Sequence, residues 1–279
     1  MLKKIYEGDT MFNENSTPLN HKKLLSLGTN NKDPVLIVGM HNSGTSILSE
    51  ILHNSGIFLG NNMSHYESHF FSIFINDSII MKGQDNWAKL PIMSINEMML
   101  YKETVGPFIK KNWIIDYVQW GYDCVSKWGI KDPRLCVLLP LYLEVFPQAK
   151  VVHILRDPND VAASLCQKRK KGVGLLDNFD HWKKLSLQYT ERVISCSDKA
   201  SEFYELQYED FCNESISVTK KLFEFLEIPF TENTKKLLNK VHPSRIGSYH
   251  RYSKQKNMNL LKHINNLLNR INMKLIRTI

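Results

Sequence analysis

No stretch of this 279-residue chain approaches the roughly 20 consecutive apolar residues that a bilayer-spanning helix needs. The opening segment MLKKIYEGDTMFNENS lacks the apolar centre of a secretory leader, so the expected location is cytoplasmic. Cysteine is sparse. The five, Cys124, Cys136, Cys166, Cys196 and Cys212, are odd in number and widely spaced, and none forms a C-x-x-C pair. That fits reduced thiols better than a disulfide framework or a zinc site. Internal repeats are absent. Acids are outnumbered, 28 against 36 Lys and Arg, for a formal charge of +8. This excess favours anionic partners such as phosphates, nucleic acid or anionic lipid, and equally describes a solvated basic surface. No aromatic–basic stripe accompanies it, so no nucleic-acid partner is expected.

What is present is a core. Apolar residues make up 43% of the chain and charged residues 23%, outside the range of disordered sequences. Residues 1–33 form a polar extension rich in Asn and Lys, 34–253 an α/β domain, and 254–279 a basic amphipathic C-terminal helix. PVLIVGM (34–40) is a short apolar run of the kind found in a fully buried parallel strand, and a helical pattern follows with Ile47, Leu48, Ile51 and Leu52. Further strands are predicted at KWGIKD (127–132), AKVVHIL (149–155) and FYELQYED (203–210). Helices are predicted at 64–82, from Arg134 to Phe146, after Asp157-Pro158, and from Ser217 to Leu226. Residues 83–126 read as helical patches broken by Pro91, Gly106 and Pro107. Apolar strands alternating with helices predict a single α/β domain with a central parallel β-sheet flanked by helices. In the tail, six Lys or Arg and no acid accompany Leu261, Ile264, Leu268, Ile271 and Leu275 at 3-4-3-4 spacing. A helix docked on its own domain, a coiled-coil self-association and a membrane-surface helix all fit that pattern.

GMHNSGTS (39–46) joins the first strand to its helix, a P-loop-type strand-loop-helix. Glycines at both ends of such a turn let backbone N–H groups converge, and the helix N-terminus adds partial positive charge. Ser43, Thr45 and Ser46 bring hydroxyls to the same space, which suits a phosphate or sulfonate; a glycine-rich turn without a ligand is the plainer alternative. The spacing approaches G-x-x-x-x-G-K-[ST], with Gly39, Gly44 and Ser46 in place, but Thr45 stands where the lysine belongs. Kinase or NTPase chemistry is weakened accordingly. A second anion signal is VVHILRDPNDVAASL (151–165), with Arg156 at a strand's carboxyl end and Ser164 in the following helix. The guanidinium fork holds phosphate bidentately, whereas Asp157 and Asp160 read as helix caps.

From 35 to 252 the chain resembles the sulfotransferases that use 3′-phosphoadenosine-5′-phosphosulfate (PAPS). Gly39–Ser46 looks like the family's G-x-x-[RK]-S-G-T-[ST], which receives the 5′-phosphosulfate. Arg156 to Ser164 matches R-D-P-x-D-x-x-x-S, whose arginine and serine bind the 3′-phosphate. WGIKDPRLCVLLPLYLEVFPQAKVVHILRDP (128–158) and LQYEDFCNES (206–215) are similar to the carbohydrate- and protein-tyrosine-modifying branch. HPSRIGSYHRY (242–252) resembles a late donor-closing loop, which makes Arg245 and Gly247 donor candidates. Asn42 departs from the pattern: it occupies the position of a basic residue that neutralises the sulfonate and bridging oxygen.

The resemblance implies PAPS as donor, no metal, and a hydroxyl acceptor, a carbohydrate or glycolipid, in an in-line displacement. Glu67 is then the candidate base, flanked by His65 and His69, which are not spaced as H-E-x-x-H. Lys131 of KDPR is the candidate for transition-state charge, with Asp132 and Arg134 in local ion pairs, and residues 62–126 shape the acceptor pocket. The alternative is a nucleotide-binding scaffold of the same fold that lost turnover through Asn42.

Overall fold

Val35–Val38 forms a strand, β1, buried along its whole length, as a continuous apolar run must be when both faces of a sheet are covered. The computed structural model describes residues 32–60, 64–82, 87–170, 178–259 and 261–262 together with Ser26, with backbone only at 81–82 and 169–170. Most of the 1–33 extension and all of the tail beyond 262 therefore lie outside the described residues. After β1 come α1 (Thr45–His53), the two-residue strand β2 (Ile57–Phe58), a π-helical run Phe70–Asp77 that passes into α2 (Ser78–Lys82), α3 (Ile95–Met99) and α4 (Lys102–Gln119). Next are β3 (Lys127–Lys131), α5 (Leu135–Val145), β4 (Lys150–Leu155), α6 (Pro158–Lys170) and α7 (Phe179–Ile194). β5 (Glu202–Gln207), α8 (Tyr208–Asn213), α9 (Ser215–Leu226), α10 (Glu232–Leu238) and a last helix α11 over 248–259 complete the order.

The strands make one parallel sheet in the order β2-β3-β1-β4-β5. The expected single α/β domain with a central parallel sheet is the observed fold. Period-two alternation of β1 splits the core: Leu36 and Val38 face one apolar cluster, Val35 and Ile37 the other. The first cluster is aromatic, with Trp113 of α4 stacked on Trp128 of β3 at 3.5 Å between centroids. The second gathers Leu48, Ile51 and Leu52 of α1 with Leu222, Phe223 and Leu226 of α9. Because β1 is flanked by β3 and β4, the chain reverses its direction of travel across the sheet there, and a crevice opens at the carboxyl ends of these three strands.

Several boundaries differ from the sequence expectation. α4 runs through Gly106 and Pro107 rather than breaking there; a methyl at Gly106 would lie 3.3 Å from Val145 Cγ2, so glycine permits the close approach of α4 to α5. The strand expected to reach residue 210 stops at Gln207, and Glu209 and Asp210 sit in the first turn of α8, where acids favour a helix start. The span 64–82 is not one α-helix: a short 3₁₀ turn at Ser64–Tyr66 precedes the π-helical run. The last helix begins at 248, not 254. It docks through buried Tyr252, stacked on Phe179, and is exposed from 254 to 259.

His153 of β4 is buried, and its Nδ1 has no hydrogen-bond partner; Glu205, at 3.6 Å, is too distant for one and partly solvated. Burial pushes the imidazole down to about 4. The unfolded chain takes up this proton near pH 6.5 while the folded protein refuses it to about pH 4, so stability is lost as pH falls through that window. Urea unfolding at pH 7 and pH 4.5 should show the loss, and His153→Phe should reduce it by up to about 3 kcal/mol. An unchanged pH slope in the variant would refute the assignment.

Candidate functional site

The carboxyl ends of β1, β3 and β4 deliver three chemically distinct elements to one crevice: the loop 39–44, Lys131 and Arg156. The loop is shaped by two left-handed residues, Asn42 at φ 66° and Gly44 at φ 106°. Asparagine tolerates that region better than most side chains, and Gly44 has a second constraint, since a Cβ there would lie 2.4 Å from the Tyr208 ring. Gly44 also opens α1 without any side-chain cap, leaving the helix's first N–H groups to the crevice.

The resulting cleft is open and about 600 Å³ in volume. Of the residues singled out in the sequence, Asn42, Gly44, Thr45, Ser46, Glu67, Lys131, Arg156 and Arg245 line it. Gly39, Ser43, Ser164 and Gly247 lie behind its wall. Ser43 is buried with its hydroxyl unpartnered, close over Gly39. Ser164 is half-buried on α6, and the Gly247 N–H is taken by Asp160 Oδ2 at 2.7 Å. Within 62–126, only His65, Tyr66 and Glu67 reach the cleft among the described residues.

Lys131 and Glu67 meet in an ion pair of 2.6 Å, the lysine side chain 1% exposed and the carboxylate 19%. Lys131 Nζ also donates to His65 O at 3.1 Å and points at Ser46 Oγ at 3.5 Å. Glu67 is not in a helix's first turn; it follows two residues, His65 and Tyr66, in left-handed conformation. Behind the pair, Asp132 accepts from the Arg134 guanidinium at 2.9 Å and from Asn76 at 3.0 Å, Tyr142 donates to Asn76 at 2.6 Å, and Arg134 reaches Asp77. Burial alone would raise the Asp132 carboxyl, but Arg134 and Asn76 hold it below the usual range, so the network is ionic and ties the π-helical run to the end of β3. The expected local pairing of Asp132 with Arg134 is present.

Arg156 is a clamp. Its Nη1 donates to Asn42 O and its Nη2 to Arg245 O, each at 2.7 Å, with Ser248 Oγ at 3.3 Å and the Tyr208 ring beneath the guanidinium at 4.7 Å. Nε has no partner. Asp157 caps α6 through Asn159 N at 2.7 Å, as expected. Asp160 does not cap: it accepts from the Gly247 and Tyr249 N–H groups, pinning the late loop to α6.

Several cleft residues escaped the sequence reading, His41 and Lys168 among them. His41 lies against Trp87, the rings tilted by 41° with centroids 4.0 Å apart; burial pushes its imidazole down to about 3, so it is neutral, and its Nε2 has no partner. Lys168 donates to Asn42 Oδ1 at 2.6 Å. A usable signal for it existed, since Asp160, Ser164 and Lys168 recur at i, i+4 and i+8 on one helical face. His41 Nε2, Asn42 Nδ2, Ser43 Oγ and Arg156 Nε are thus buried polar atoms without protein partners around the loop. Such a set of orphans, beside five cleft cations at 131, 156, 168, 240 and 245, fits a ligand with phosphate or sulfonate groups.

An uncharacterised protein of Aquifex aeolicus (strain VF5) is 25% identical over 257 residues, covering 83% of this chain; this chain spans about 30% of that relative's length. The sulfotransferase domain from the curacin biosynthetic pathway shares the fold, with a TM-score of 0.52 at 13% identity over 81% of this chain and 98% of that domain. A sulfotransferase from Mycobacterium avium superposes with a TM-score of 0.49 at 15% identity over 78% of this chain and 69% of its own. The model of the sulfotransferase family matches residues 34–232, most of the α/β domain, including the anion loop, Arg156 and the Glu67–Lys131 pair, and so the chain belongs to the sulfotransferase family.

Proposed function

We propose that this chain transfers a sulfonate group from PAPS to a hydroxyl of an acceptor, a carbohydrate or glycolipid. The observation that carries this reading is the convergence of unpartnered buried donors and cations around Gly39–Ser46, opposite the Glu67–Lys131 pair. Thr45 in place of the nucleotide-triphosphatase lysine and the motif match at Arg156 to Ser164 support a donor with two separated phosphate groups. The acceptor class rests on the sequence resemblance alone.

The residues suited to hold the donor are the loop 39–46, which would receive the 5′-phosphosulfate on its backbone and on the cleft-lining Thr45 and Ser46, and Arg156 with the late loop near Arg245 for the second phosphate. The donor supplies an activated sulfonate that passes in line to the acceptor oxygen. Glu67 Oε1 is engaged by Lys131, which leaves Oε2 to take the acceptor's hydroxyl proton. That proton uptake has an electrostatic consequence. Glu67 and Lys131 begin as a neutral pair; once the carboxylate is protonated, the buried ammonium keeps its full charge without a counter-ion. A cation is thereby unmasked in the cleft as negative charge grows on the departing phosphate. His41, held neutral, donates or accepts without adding charge.

The product nucleotide 3′,5′-ADP should raise the melting temperature of the protein, as any ligand selective for the native state does. Arg156→Ala should remove that rise; no shift for the wild type at millimolar nucleotide would sink the donor reading. Glu67→Gln should keep the shift but lower transfer of labelled sulfonate to cell-envelope extract by about 10²–10⁴-fold. Nucleotide binding with no transfer by the wild type would instead favour the scaffold reading.

A further inference from the structure

The loop of this chain has an amide, Asn42, where the family's motif has a cation, and the structure places a cation on that amide from elsewhere. Resting on the donor site above, we propose that Lys168 of α6 supplies the sulfonate-neutralising charge that the loop lacks at residue 42.

Lys168 Nζ donates to Asn42 Oδ1 at 2.6 Å across 126 residues of sequence. The lysine fixes the orientation of the amide, because the alternative would set two donors against each other; Nδ2 is thereby left buried and unpartnered at the cleft. Ammonium and amide together present N–H donors and no acceptor, which is the complement of an anion. The other cleft cations are differently placed. Lys131 is paired with Glu67 and Lys240 with Glu50, and Arg156, which spends three of its five N–H donors on two carbonyls and a hydroxyl, is the residue the donor reading gives to the second phosphate. Among the described residues no carboxylate pairs with Lys168.

Burial lowers the pKa of Lys168, and the positive charges of Arg245 and Lys131 lower it further. Three cations converging on one cleft raise one another's cost until an anion arrives, so the arrangement stores affinity for a multiply charged ligand. Residue 42 sits at φ 66°, which asparagine accepts more readily than a long basic side chain. α6 is fixed nearby through Asp160, two turns earlier on the same face, which holds the late loop by its backbone N–H groups. One helix thus orders the donor-closing loop and delivers the cation.

Calorimetric titration of the full chain with PAPS and, separately, with 3′,5′-ADP tests this. Lys168→Ala should weaken PAPS binding by about 10–100-fold, as loss of a charge-assisted hydrogen bond does, and weaken 3′,5′-ADP binding less. Lys168→Arg should bind PAPS nearly as the wild type does. Adding Asn42→Lys to Lys168→Ala, which returns the charge to the loop, should restore at least part of the loss. Urea midpoints of Lys168→Ala and Lys168→Arg, expected to match the wild type because residue 168 is at the surface, check that folding is unaffected, and the midpoint of the double variant reports any strain from lysine at position 42. Unchanged PAPS affinity in Lys168→Ala, or a loss that neither Lys168→Arg nor the added Asn42→Lys relieves, overturns the proposal while leaving the donor reading standing. A wild-type protein that binds neither nucleotide removes the donor reading and this assignment with it.

Discussion

Everything at the carboxyl edge of the sheet hangs on the buried guanidinium of Arg156. A buried arginine must find acceptors for its donors or destabilise the fold, and here two of them are backbone carbonyls on segments far apart in sequence, Asn42 O and Arg245 O. The requirement works in both directions: the charge is tolerated because the loops bend toward it, and the loops keep their bend because the charge is there. Carbonyl acceptors, unlike carboxylates, leave the site net positive, with Asp160 only at 3.8 Å. The ring of Tyr208 completes the enclosure, packing against Gly44 on one side and under the guanidinium on the other. The cradle is therefore assembled before any ligand enters, which lowers the ordering cost of binding.

The second constraint is the segregation of charge at the end of β3. Lys131 and Asp132 are adjacent in sequence and both buried, yet they serve opposite sides: the lysine faces the cleft and Glu67, the aspartate faces the core side with Arg134, Asn76 and Tyr142. Strand alternation does this at no extra cost, since neighbours point to opposite faces. Each ion is matched locally, and the π-helical run supplies Asn76 and Asp77 at the spacing the network needs. Functional helices often carry such a π irregularity, because it re-aims side chains that a regular turn would misplace.

How much of this was legible in the sequence depends on how local each signal is. The apolar runs at 35–38 and 150–155 and the glycines of 39–44 declare themselves within a few residues, and so did the strand–loop–helix and the arginine at a strand end. β2 is two residues long, too short for any period to show. α4 hides behind Gly106 and Pro107, whose local preference is overridden by packing on α5. The 3₁₀ turn and left-handed pair at 64–66 and the π-helical run keep the same apolar residues on one side as an α-helix would, so periodicity alone cannot separate them. Asp160 as a pin for Gly247 and Tyr249, and Lys168 as the partner of Asn42, are contacts across 87 and 126 residues of chain, invisible to any window.

Trp87 gives the anion loop a spectroscopic handle. Its indole touches His41 of the loop at a tilt and stacks on Trp182 at 5.6 Å between centroids. The tight stack of Trp113 and Trp128 lies within the aromatic core, and Trp120 is half-exposed. Of the five indoles, then, Trp87 is the one in ring contact with the loop itself, and a shift of the backbone at 41 changes the surroundings of that ring. The loop's motions are written into the protein's own emission, and can be followed on the timescale of mixing without attaching any dye.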